Sequence, residues 1–102
     1  DVGCGTGRVL DLGLTTPDRY AGVDPSQPML NMLVRKYPNV ARIYPTTIEQ
    51  ALADGAFTPG QFEIVTAYDS ANELGSATVA ALAELASRVT ILKRDSQLEL
   101  ID

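Results

Sequence analysis

Asp1-Val2-Gly3-Cys4-Gly5-Thr6-Gly7 is the stretch on which the reading of this chain turns. Three glycines alternate with larger residues after an apolar Val2. Arg8 to Leu14 follows, with Val9, Leu10 and Leu12 spaced for a short helix. This is the pattern of a strand that bends sharply into a helix. Glycine allows the tight bend and lets a ligand lie against the backbone without meeting a Cβ. A helix start behind the bend offers free N–H groups and a positive dipole end to an electron-rich ligand group. A plain turn has no need of three alternating glycines, so the stretch reads as a ligand loop.

Outward from the loop, β-rich and helical runs alternate. Thr15-Thr16-Pro17-Asp18 is a break, and Tyr20 to Val23 is a short strand ending at Asp24. Ser26 is an expected N-cap for a helix over Gln27 to Tyr37, with Met29, Leu30, Leu33 and Val34 on one face and Pro38 as its stop. Val40 to Tyr44 reads as a strand, Ile48 to Ala53 as a helix opened by Thr47, and Gly55 to Gly60 as a loop. Phe62 to Tyr68 is the clearest buried strand. Ser76 to Ser87 is an Ala/Leu-rich helix, Arg88 to Lys93 a last strand, and the tail after Arg94 is left unassigned. The alternation predicts an α/β domain, a Rossmann-like doubly wound fold with a mainly parallel sheet. Ligands of such sheets sit outside the carboxyl ends of the strands, where the glycine loop also falls.

Asp24 lies 21 residues after Gly3, at the end of the next strand. An acidic side chain so placed accepts hydrogen bonds from ribose hydroxyls. Alone, Asp24-Pro25 would read as a turn start; behind the glycine loop, ribose binding is the better reading. Asp1 to Gly7 resembles the first motif of the class I S-adenosylmethionine-dependent methyltransferases. Val23-Asp24-Pro25-Ser26-Gln27-Pro28-Met29-Leu30 is similar to their second. The resemblance covers most of the chain and weakens after Leu74.

It implies a seven-stranded sheet with helices on both faces, S-adenosylmethionine as cofactor, and methyl transfer as the activity. By resemblance, Gly3, Gly5 and Gly7 lie against the methionine part and ribose of the cofactor. Asp1 helps hold its amino group, Asp24 takes both ribose hydroxyls, and Pro25, Ser26 and Met29 border the adenine. Met29 serves equally well as a core residue. After the third strand the family usually carries an Asp for the adenine amino group. Here Thr46-Thr47-Ile48-Glu49 stands in its place, and a threonine oxygen or a main-chain N–H would have to serve. Thr47 with Gln50 is also a capping box. Thr66 and Tyr68 end the strand that faces the methyl group and acceptor.

The acceptor side carries fewer signals. Tyr68-Asp69-Ser70-Ala71-Asn72-Glu73 contains no Asn/Asp-Pro-Pro-Tyr/Phe run and no Pro-Cys pair, which argues against methylation of nucleic-acid bases. Asp69 reads as a loop carboxylate before a general base. The net charge is −5 with no cluster of Lys or Arg, so nucleic acid is not an expected partner and a small-molecule acceptor is favoured. No run is long enough to span a bilayer. With no His and one Cys, neither a zinc site nor a Ser/His/Asp triad is expected. Lone Cys4 reads as a small packing residue and fits a reducing, cytoplasmic setting. Two other readings stay open: an NAD(P)-binding oxidoreductase and a non-catalytic scaffold of the same fold. Against the first, Gly7 comes one place too early for G-x-G-x-x-G and Arg8 follows it. The 102 residues are read as one partial domain. A chain opening on Asp1 is expected to lack the start of its first strand, what preceded it and a last hairpin, and by itself to be marginally stable. The oligomeric state is not legible.

Overall fold

The segment Asp1–Gly3 is a rung inserted between two neighbouring strands. Val2 forms parallel bridges to Val23 on one side and to Ala67 on the other. The Asp1 nitrogen donates to the Ala21 carbonyl at 2.7 Å, and Val2 N–H to the Thr66 carbonyl at 2.7 Å. Around this rung the computed structural model describes residues 1–68, 75–92 and 98–101. The sequence reading of Asp69 therefore lies outside the described residues.

In chain order the elements are α1 (Arg8–Asp11), a 3₁₀ turn (Pro17–Arg19), β1 (Ala21–Val23), α2 (Gln27–Lys36), β2 (Arg42–Tyr44), α3 (Ile48–Ala53), β3 (Phe62–Tyr68), α4 (Ser76–Leu85), β4 (Ala86–Leu92) and β5 (Leu98–Ile101). β1 pairs parallel with β2 and β3 parallel with β4, while β5 lies antiparallel on β4. Bridged by Val2, the order across the sheet is β2-β1-Val2-β3-β4-β5. The expected mainly parallel, Rossmann-like α/β sheet is what the chain forms.

Strand alternation sends neighbouring side chains to opposite faces, so a sheet wrapped by helices on both sides needs two cores. On one face Ile48, Ala51, Leu82 and Leu85 from α3 and α4 pack on Val2, Val23, Val65, Ala67 and Val89. On the other, Val9, Leu10, Leu30 and Leu33 from α1 and α2 enclose Cys4, Tyr20 and Val40. Consecutive residues of β2 divide between them, Ile43 going to the second core and Tyr44 to the first. Among the described residues no helix is long and apolar enough to cross a membrane.

Several local expectations change. α1 is a single turn, not the helix of Arg8 to Leu14, because Gly13 at φ 71° closes it. Gly13 N–H reaches Leu10 O and Leu14 N–H reaches Val9 O, the paired bonds that finish a helix at a left-handed glycine. On α2 only Leu30 and Leu33 are buried. Met29 and Val34 flank that stripe and stay 47% and 41% exposed, so Met29 is not a core residue. The helix expected to reach Ser87 ends at Leu85, because Ala86 pairs with Phe62 in an extended conformation and is buried. Sheet pairing overrides the helical preference of an alanine-rich run. Leu98–Ile101, unassigned from sequence, pairs with β4.

Candidate functional site

At the carboxyl ends of the strands, three loops are stitched together by shared acceptors. Val23 O accepts from Gly3 N–H at 2.8 Å and Cys4 N–H at 3.1 Å. Tyr44 O accepts from Asp24 N–H at 3.2 Å and Thr46 N–H at 2.9 Å. The Asp24 carboxylate completes the stitching. Its Oδ2 accepts from Gly5 N–H at 3.0 Å and its Oδ1 from Ser26 N–H at 2.8 Å. The glycine loop, the end of β1 and the entry to α2 are thus one rigid rim.

Within the loop, Gly3, Gly5 and Gly7 all have positive φ, at 67°, 52° and 94°. Two of them differ in what surrounds them. A Cβ on Gly7 would lie 3.2 Å from Leu33 Cγ, so packing on α2 already demands glycine there. A Cβ on Gly5 would meet only Met29 Sδ, at an ordinary 3.6 Å. The space over Gly5 is left for something else.

The remaining sequence-derived positions fall around this rim. Pro25 is exposed, and Ser26 caps α2 by accepting from Met29 N–H at 3.4 Å. Thr46 is half-buried; Thr47 caps α3 by accepting from Gln50 N–H at 3.2 Å. The Gln50 side chain does not return to close a capping box; it donates forward to Asp54 at 2.8 Å. Ile48 is buried in the core, which leaves only its main chain to the site. Tyr68 closes β3, in register with Leu92. Asp1 lies below the loop, with its Oδ1 accepting from Thr66 Oγ1 at 2.9 Å and its Oδ2 from Tyr20 Oη at 2.6 Å.

Two residues of this cluster escaped the sequence reading. Tyr20 looked only like the start of a strand, yet it is buried and bonded to Asp1. Gly22 was read only as part of the strand from Tyr20 to Val23. A Cβ there would sit 2.8 Å from Cys4 Sγ and 2.9 Å from Tyr20 Cε2, closer than packed atoms come. No local pattern signals either; only a glycine inside a short strand hints at a close approach. Burial pushes the Cys4 thiol up to about 11, so it is neutral and packs as an apolar residue.

A cleft of about 660 Å³ opens along the sheet. It is lined by the amino-terminal parts of β1 and β3, including Ala21, Phe62 and Val65. Exposed Arg19 and Glu63 pair across it at 3.3 Å. It reaches Asp1 and Thr66 beneath the glycine loop, but Gly5, Asp24 and Met29 do not line it, and doubly wound sheets take their ligands at the carboxyl ends of the strands.

A family model described as a methyltransferase domain matches residues 1–91. The chain belongs to the class I S-adenosylmethionine-dependent methyltransferase family. No curated protein and no solved structure matches it. The family implies S-adenosylmethionine, and the residues present fit that group. Asp24 uses two of its roughly four acceptor positions on main-chain amides, leaving others for hydroxyls. The side-chain-free face of Gly5 and the exposed Met29 border the same space.

Proposed function

We propose that this chain binds S-adenosylmethionine on the rim formed by Gly3–Gly7, Asp24–Met29 and Thr46–Ile48, and passes the methyl group to a small-molecule acceptor. The observation that carries the reading is the double bond from Gly5 N–H and Ser26 N–H to one carboxylate. It fixes Asp24 beside a backbone with no Cβ in the way, an arrangement suited to a ribose edge. Asp24 accepts the two hydroxyls, Met29 and Pro25 border the base, and Thr46, Thr47 and the Ile48 main chain offer polar atoms to its edge. Asp1 and Thr66 lie toward the methionine end, with Tyr68 at the acceptor side.

The cofactor supplies a methyl group on a sulfonium, already reactive toward nucleophiles. What the protein adds is alignment and exclusion of water, and no dedicated acid or base is required. The net charge of −5 and the absence of a basic cluster support an acceptor other than nucleic acid.

Titration calorimetry with S-adenosylhomocysteine tests the reading. The chain should bind it, and Gly5→Val should abolish binding by filling the space above the loop. Asp24→Asn should lose about 1.5–3 kcal/mol, the range for hydrogen bonds to a charged group. Tight binding of NAD with no response to S-adenosylhomocysteine would overturn it.

A further inference from the structure

Asp1 is held from below by two hydroxyls, and the stronger hold comes from a residue with no assigned part in the site. Tyr20 is 3% exposed, and its Oη stands 2.6 Å from Asp1 Oδ2. Thr66 Oγ1 stands 2.9 Å from Oδ1. A carboxylate bonded through both oxygens cannot rotate freely, so its plane and its remaining acceptor directions are set. The ring reaches this position only because it lies across Gly22, where a Cβ would come within 2.9 Å of Cε2 and 3.0 Å of Oη. Burial raises the Tyr20 phenol well above its ordinary titration range, so it remains a donor.

We propose that Tyr20 is a positioning residue. Through its bond to Asp1 it aims the free acceptor positions of that carboxylate at the ammonium group of the cofactor's methionine end, with Gly22 making the room. This rests on the cofactor reading above. A buried tyrosine could merely brace the sheet, so the test must separate aim from support.

Two probes do so in calorimetric titrations. S-adenosylhomocysteine carries the amino-acid end; 5′-methylthioadenosine has the same adenosine and thioether but lacks the α-amino and carboxylate groups. Tyr20→Phe keeps the ring and removes the donor. It should weaken S-adenosylhomocysteine about tenfold, the scale of one hydrogen bond to a charged group. Affinity for 5′-methylthioadenosine should stay within about twofold. Equal loss for both probes makes Tyr20 a structural brace and overturns the proposal, as does unchanged affinity for the first. Should Tyr20→Phe fail to fold by circular dichroism, the hydroxyl is needed by the fold itself, and the proposal is overturned in favour of a structural brace. If the unaltered chain binds neither probe, the cofactor reading falls, and the proposal with it.

Discussion

Cys4 shows how a side chain inside a ligand loop can be excluded from chemistry. Its neighbours are Tyr20 and Gly22, and its thiol is shifted from 9.0 to about 11, mainly by burial. A raised folded-state value means that folding favours the neutral thiol. The stability it contributes is full below 9.0 and is lost as the pH rises through about 11. Tyr20 is shifted the same way by burial and acts in the same direction at higher pH. Urea midpoints should therefore fall as the pH rises above about 9, and Cys4→Ala should flatten the first part of that fall. Iodoacetamide at mildly alkaline pH should label Cys4 in urea far faster than in the folded chain; equal rates would contradict its burial. Gly22→Ala should be among the most damaging single methyl additions. Overpacking of this kind costs about 1–3 kcal/mol, read as a lower thermal midpoint. The residue types at Gly3, Gly5, Gly7 and Asp24 declared themselves by spacing along the chain. Tyr20 and Gly22 did not, because their partners, Asp1 and Cys4, lie in another segment.

Among the elements, what was legible was local. Ser26 and Thr47 sit three residues before the amides they accept from, so both helix starts were readable. Thr47→Ala should cost about 1 kcal/mol in unfolding free energy, measured by denaturant titration. What failed depended on distant partners: the end of α4 is set by Phe62, and β5 exists by pairing with β4. The clamp between α1 and α2 was equally invisible. Asp11 Oδ1 accepts from Tyr37 Oη at 2.5 Å, and its Oδ2 from Lys36 Nζ at 3.0 Å. The Tyr37 bond first, then Lys36, holds the Asp11 carboxyl below its ordinary value. The contribution is present above the ordinary carboxylate range and lost as the pH falls through the lowered value. With 37% of the side chain exposed the effect is small. Tyr37→Phe should narrow the stability difference between neutral and acidic solution, and an unchanged acid profile would show that the clamp carries nothing.

At the scale of the whole molecule, the sheet holds together through very few residues at its centre. Among the described residues the short segment Asp1–Gly3 joins β1 to β3, and the Val2 side chain belongs to the core under α3 and α4. Val2→Ala removes two methyl groups from that core and should cost about 2 kcal/mol, seen as a lower midpoint for both halves in one transition. Two separate transitions would mean that the halves unfold independently. The same rung fixes when the fold can be completed. Asp1 finds Tyr20 at a separation of 19 residues but Thr66 only at 65. While the chain leaves the ribosome, the first pairing becomes available early, and the second waits until most of the described sheet has been made. Closing so long a loop is slow relative to local helix formation. During that interval one edge of the rung stands open, so the nascent chain is most vulnerable to capture by other strands just before β3 emerges.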